Sequence, residues 1–153
     1  MKLERLLNFK ELQHHNLNQN ITDICLDSRS VENGNLFFLL ERNIQLQQQY
    51  LKQAINNGAA AIIVAKEFTF DGATINTPII KVDSVRKTLS QVSSKYYPKQ
   101  PKNILAITGT NGKTSVTKFT EEIWQLMGIK SASIGTLGNS TTKTSSALTT
   151  PDP

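Results

Sequence analysis

The 153-residue chain is 38% hydrophobic and 19% charged, enough to bury one moderate core or two small ones. No apolar run approaches the roughly 18 residues a membrane span needs, and the single cysteine, Cys25, excludes an internal disulfide and points to a reducing compartment, the cytoplasm. The net charge of +5 comes from scattered lysines, densest in the Pro-rich KYYPKQPK, which reads as a solvated linker rather than a nucleic-acid patch; anionic small molecules suit the charge equally well.

In chain order, MKLERLLNFKELQHHN carries Glu4 and Glu11 among its leucines. It predicts a short amphipathic helix with Leu3, Leu6, Leu7 and Phe9 on one side, not a signal peptide. His14 and His15 lie in a polar stretch without metal-ligand spacing and are expected at the surface. A strand is expected around Asp23–Leu26, with Cys25 as a small buried hydrophobe, followed by the turn DSRSVENGN and an apolar strand at Leu36–Leu40. In ERNIQLQQQYLKQAINNGAA, Tyr50, Leu51, Ala54 and Ile55 recur at helical spacing, and Asn56-Asn57-Gly58 supplies the stop. AAAIIVA and PIIKV are strands of the buried type, joined by the loop FTFDGATINT. Asp83 or Ser84 caps a helix that carries Val85, Leu89 and Val92 on one side and ends near Tyr96-Tyr97-Pro98.

The Pro- and Lys-rich KYYPKQPK marks a boundary, dividing the chain into a first domain (1–97), a linker (98–103) and a second unit (104–153). There ILAIT predicts a buried strand and GTNGK a glycine turn. TSVTKFTEEIWQLMG predicts a helix with Val116, Phe119, Ile123, Leu126 and Met127 on a core-facing stripe and Trp124 also in the core, and SASIGTLG a further strand. Strands alternating with helices argue α/β with a largely parallel sheet. One βαβ crossover cannot cover both faces of such a sheet, so the chain is expected to be part of something longer.

The stretch NILAITGTNGKTSVTKF, Asn103–Phe119, holds the chemistry. A strand entering a helix through glycines aims the first helical N–H groups at one point, where the helix dipole adds positive charge. Gly109 and Gly112 can take positive φ, Lys113 brings a mobile charge for the β and γ phosphates, and Thr114 offers a hydroxyl to Mg²⁺. The usual spacing would place a glycine at position 107, where Ile107 stands, so the loop is a compact variant. The competing reading is a plain turn with a solvated lysine; the apolar strand before and the amphipathic helix after favour phosphate.

TGTNGKT, Thr108–Thr114, resembles the ATP loop of the Mur ligases and their folylpolyglutamate synthetase relatives, in which the short G-T-N-G-K-T form is the rule. LDSRSVENGNLFF at Leu26–Phe38, AINNGAAAIIV, and SIGTLGN followed by LTTPDP are similar to stretches of the tripeptide-synthesising branch of that family. The resemblance implies a small N-terminal α/β uridine-nucleotide domain followed by the first βαβ unit of a P-loop ATP domain. It implies an ATP-dependent ligation in which the D-glutamate carboxylate of UDP-MurNAc-L-Ala-D-Glu becomes an acyl phosphate and a diamino acid, diaminopimelate or lysine, attacks it. The implied ATP-binding residues are Gly109, Thr110, Asn111, Gly112, Lys113, Thr114 and Ser115, with Lys113 catalytic and Thr114 nearest Mg²⁺. Leu26 and Ser28 match positions that hold the uridine nucleotide, and Thr149 and Thr150 a pair on the muramoyl-peptide substrate. A monomer with no nucleic-acid or membrane partner is also implied.

The remaining catalytic groups of that family lie past Pro153, so these residues alone are expected to be inactive. Where the family carries a G-x-x-x-D-G loop, this chain has ERNIQLQQQY, Glu41–Tyr50. That departure keeps open a non-catalytic remnant that binds a nucleotide or a partner. A folylpolyglutamate-type ligase is the third reading, opposed by the DSR segment and the TTPDP ending. Taken without the resemblance, Asp27-Ser28-Arg29 is an Asx-type turn with a solvated arginine.

Overall fold

The apolar runs of the first hundred residues become a four-stranded, all-parallel sheet in strand order β1-β2-β3-β4. The structure, a computed structural model, describes residues 1–7, 18–70 and 76–140. Its elements are α1 (Leu3–Leu6), β1 (Ile24–Cys25), a 3₁₀ turn (Ser28–Ser30), β2 (Leu36–Phe38), α2 (Ile44–Asn56), β3 (Ala61–Ala65), β4 (Ile79–Val82), α3 (Val85–Tyr96), α4 (Lys113–Leu126), β5 (Ile134–Gly135) and β6 (Gly138–Asn139). The chain divides into two units, Met1–Gln100 and Pro101–Asp152. The stretch Asn8–Leu17, which holds the rest of the expected first helix and both histidines, lies outside the described residues.

In the first unit, registers such as Phe37↔Ile62 and Ile63↔Ile80 stack branched and aromatic side chains strand to strand. Successive side chains of a strand point to opposite faces, so the continuous apolar runs feed two cores. Leu36, Phe38, Ile63 and Ile80 pack with α1 and with Val85, Leu89 and Val92 of α3. Phe37, Ile62 and Val64 pack on the other face against Leu51 and Ala54 of α2.

Helix ends follow from local chemistry. Asn43 starts α2, its side chain accepting from the N–H groups of Gln45 (3.0 Å) and Leu46 (3.3 Å). Of the two expected caps for α3, Ser84 does the capping, accepting from Lys87 N at 3.3 Å, while Asp83 pairs with Lys66 at the surface. The other end of α3 is pinned to the start of β1. The Tyr96 hydroxyl donates to Thr22 O, and the Tyr97 hydroxyl donates to Asp23 Oδ1 at 2.8 Å. Burial, then the Asp23 hydrogen bond, pushes the Tyr97 phenol up to about 12.

The second unit departs from expectation. Residues 103–109, with the expected strand Ile104–Thr108, form neither helix nor strand, and Ile104 is 80% exposed. The expected strand in SASIGTLG is shortened to β5, which pairs antiparallel with β6 as a tight hairpin. No βαβ crossover forms among the described residues of this second unit. A parallel strand needs a neighbour for its backbone groups, and the described part of this unit offers none. The helix stripe is reversed for the same reason: Phe119 is 62% and Leu126 88% exposed, with Val116, Ile123 and Met127 also open, and Trp124 is half-buried.

What α4 buries instead is a charge. Glu121 is 4% exposed, and its carboxylate accepts from Ser133 Oγ at 2.8 Å, Lys118 Nζ at 3.3 Å and Gln125 Nε2 at 3.4 Å. Hydrogen bonds from Ser140 and Ser133, with a smaller contribution from Lys118, hold this carboxyl below the usual glutamate range despite burial. Ser131 Oγ also donates to the Glu121 carbonyl at 3.2 Å, so three serines tie the hairpin region to the helix.

Two outcomes follow. Leu51→Ala removes a fully buried side chain between α2 and the sheet and should cost the first unit about 2–5 kcal/mol, measured by urea unfolding followed by far-UV circular dichroism. For the second unit, the only tryptophan, Trp124, sits on α4, so its fluorescence reads that unit. Because the folded Glu121 carboxyl titrates below its ordinary 4.5, its contribution is complete above that value and is lost as pH falls through the folded pKa. Wild type and Glu121→Gln should therefore differ most in stability above about pH 5 and converge in acid.

Candidate functional site

Gly112 ends the loop and opens α4 with φ 77° and ψ −5°, left-handed backbone that disfavours any residue with a Cβ. An added Cβ would meet nothing within 4 Å, so the constraint at Gly112 is the dihedral and not space. Gly109 also takes positive φ, at 146°. Both glycines thus have the conformational freedom that phosphate chemistry was expected to require of them. A glycine N-cap has no side chain to offer, and the first-turn N–H groups of α4 receive no side-chain cap. With the positive end of the helix dipole added, that end of α4 presents donors and partial positive charge together.

Lys113 folds back over the loop, its ammonium donating to Gly109 O and, at 3.2 Å, to Thr110 O. The full charge is therefore held beside the donors. A cleft of about 440 Å³ lies between α4 and the β5–β6 hairpin, lined by Ile107, Lys113, Thr114, Thr117, Ser133 and Thr136 among others. The Thr114 hydroxyl reaches across it to Thr136 Oγ1 at 3.0 Å. Ile107 at the position of the usual glycine is half-buried and lines the same cleft.

Among the described residues no three His, Cys, Asp or Glu side chains converge as a metal cluster. The donor set here is instead hydroxyl oxygen next to a phosphate-type loop. That set fits Mg²⁺, which keeps several waters and takes one or two protein oxygens plus those of phosphates.

The expected uridine-nucleotide residues lie in the first unit. Leu26 is exposed, whereas Ser28 is buried, its hydroxyl donating to Gln53 Oε1 of α2 at 2.7 Å and its carbonyl accepting from Asn57 Nδ2 at 3.0 Å. Asp27 Oδ1 accepts from Arg29 N at 3.0 Å, the Asx-type turn. Arg29 is not merely solvated: its guanidinium grips Asp27 at 2.6 Å, and this side-chain bond, then the backbone one, holds the Asp27 carboxyl below its ordinary range. Desolvation, opposed by the Asp27 carbonyl that accepts from Sγ at 3.2 Å, raises the thiol of Cys25, a buried hydrophobe as expected.

The Glu41–Tyr50 segment becomes a helix from Ile44 onward. Its glutamines are partly engaged, Gln47 Nε2 donating to Glu41 O at 2.6 Å and Gln48 Nε2 to Thr69 O at 2.7 Å. Thr149 and Thr150 lie outside the described residues. The loop residues Gly109 to Ser115 thus share one turn and helix start, while Leu26 and Ser28 belong to the other unit. Sequence inspection missed Thr136, Ser133 and Glu121. The sole hint was the alternation of serines at 131 and 133, since the apolar stripe drew attention to the opposite side of α4.

Residues 107–153 match the model of the Mur ligase middle domain. A UDP-N-acetylmuramoyl-L-alanyl-D-glutamate–2,6-diaminopimelate ligase from Bradyrhizobium diazoefficiens is 41% identical over 135 residues, which takes in 87% of this chain and 27% of that protein. A solved structure of a ligase of the same name superposes with a TM-score of 0.74 at 24% identity, over 99% of this chain and 31% of that one. MurF ligase from Thermotoga maritima, in complex with ADP, shares the fold at a TM-score of 0.51 and 22% identity, over 71% of this chain and 24% of its own. The chain spans a third or less of the length of the curated relatives it matches. With its parallel α/β unit, its glycine-capped loop and these relatives, the chain belongs to the Mur ligase family.

Proposed function

We propose that this chain supplies the uridine-nucleotide unit and the phosphate loop of an ATP-dependent ligase that joins diaminopimelate to UDP-MurNAc-L-Ala-D-Glu. The observation that carries the reading is the start of α4. A left-handed glycine, unclaimed first-turn N–H groups, Lys113 and Thr114 meet one cleft, within residues that match the Mur ligase middle domain. That the relatives are diaminopimelate ligases favours diaminopimelate over lysine as the incoming amino acid.

Each residue has a role that its chemistry supports. Gly109, Thr110, Asn111 and Gly112 let phosphate oxygens approach the backbone, and the N–H groups of Lys113, Thr114 and Ser115 donate to them. Lys113 exchanges its carbonyl partners for phosphate oxygens, where a charge-assisted bond is stronger. Thr114 holds its hydroxyl toward the cation. Mg²⁺, when bound, supplies charge neutralisation at the phosphates during phosphoryl transfer. In the first unit, Leu26 and the turn around Ser28 form one wall for the uridine nucleotide, and Thr149 and Thr150 contact the muramoyl peptide. The domain limits 1–97, 98–103 and 104–153 and a monomeric, cytoplasmic enzyme belong to the same proposal. The open apolar stripe of α4 is a surface that the larger domain of a full ligase would cover.

A second reading, a remnant that binds a nucleotide without catalysis, is favoured by the helical Glu41–Tyr50 segment, which stands where the family has a glycine loop. Calorimetry separates the two. On the ligase reading, wild type binds both MgADP and UDP-MurNAc-L-Ala-D-Glu, and Lys113→Ala weakens MgADP by about 10- to 100-fold while leaving the uridine ligand unchanged. Binding of MgADP without detectable heat from the uridine ligand at millimolar concentration would favour the remnant. Unchanged MgADP affinity in Lys113→Ala would refute the loop assignment.

A further inference from the structure

We infer that Thr136 is a positioning residue for the phosphate loop: its hydroxyl accepts the Thr114 proton and so turns the Thr114 lone pairs toward the bound cation. The inference rests on the phosphate-loop reading above and adds a residue 22 positions beyond Thr114, outside the loop motif.

The threonines of α4 provide the contrast. Thr117 and Thr120 each donate back to the carbonyl four residues earlier, Lys113 O and Val116 O, both at 2.8 Å, the usual resting place of a helical threonine proton. Thr114 does not follow them. The carbonyl four residues before it, Thr110 O, accepts from the Lys113 ammonium, and the Thr114 hydroxyl faces Thr136 Oγ1 instead. A hydroxyl carries one proton and two lone pairs. An oxygen that ligates a hard cation must direct its proton elsewhere, and Thr136 is the acceptor at hand.

Thr136 is well held for this task. It lies in the two-residue connection between β5 and β6, which closes on Gly138 with φ 85°. The hairpin base is laced by Ser140 N donating to Ser133 O at 3.1 Å and Ser133 N to Ser140 Oγ at 2.9 Å. Ser133 Oγ is in turn bound to the buried Glu121. Hydrogen bonds therefore tie the hairpin to α4 at two places, at Glu121 through Ser133 and at Thr114 through Thr136.

Calorimetric titration of the whole chain with ADP, with and without Mg²⁺, tests the role. Wild type should gain affinity on adding Mg²⁺. Thr136→Val and Thr136→Ala should lose about 10- to 100-fold of the MgADP affinity, as orienting partners of metal ligands do, with metal-free ADP unchanged. Thr136→Ser should retain the gain. Trp124 fluorescence identifies any variant that fails to fold, and the alanine and valine variants stand in for each other. A metal gain in both that matches wild type, or an equal loss with and without Mg²⁺, overturns the inference while the loop reading stands. A wild type that gains nothing from Mg²⁺ also overturns it. A wild type that binds ADP in neither condition overturns both.

Discussion

A parallel β-sheet must be covered on both faces, because crossovers rather than hairpins join its strands and every strand carries apolar side chains in both directions. The first unit satisfies that constraint. Its strands place Leu36, Phe38, Ile63 and Ile80 under α1 and α3, and Phe37, Ile62 and Val64 under α2. The central strands β2 and β3 are buried, so the rim of the sheet, where Leu26 and the Ser28 turn sit, rests on a packed base. Strand order is sequential, each strand pairing with its neighbour in the chain, as consecutive elements most often do.

The second unit shows the same constraint unmet. Among the described residues, one helix and a two-stranded antiparallel hairpin leave the apolar stripe of α4 open, and the residues before the glycine loop remain unpaired as a strand. Cohesion then depends on polar contacts. A buried carboxylate is costly unless its lone pairs are occupied, and here Ser133, Ser140, Lys118 and Gln125 occupy them. The result is a stiff corner between α4 and the hairpin, beside the cleft that Lys113 and Thr114 line. Packing is weak there and hydrogen bonding strong, an arrangement suited to holding hydroxyls in place.

The residues proposed for the two sites also differ in how they are engaged. Ser28 and its carbonyl are already bonded to Gln53 and Asn57, so the turn is rigid and offers its exposed neighbours more readily than its own hydroxyl. The α4 start leaves its first-turn N–H groups without a side-chain cap, and among the described residues the Lys113 ammonium is bonded to the loop carbonyls of Gly109 and Thr110. Replacing those carbonyls with an anion requires only a side-chain movement. In the first unit the Glu41–Tyr50 segment is helical from Ile44 onward, capped by the Asn43 side chain.

The sequence alone determined the elements whose signals are local. The apolar runs at Leu36–Leu40 and Ala59–Ala65, the helical spacing of Leu51 and Ala54, a cap at Asp83 or Ser84 and the glycine turn were all legible, because period, capping and glycine φ depend on neighbours a few residues away. The family was legible too, since TGTNGKT and the DSR segment are contiguous. Only tertiary structure decided which side of α4 is buried. The stripe from Val116 to Met127 has the periodicity of a core face, yet burial depends on what stands opposite, and among the described residues only the serine-bearing hairpin does. The pairing of Thr114 with Thr136 was hidden for the same reason: a hydrogen bond across 22 residues leaves no periodic trace in the chain.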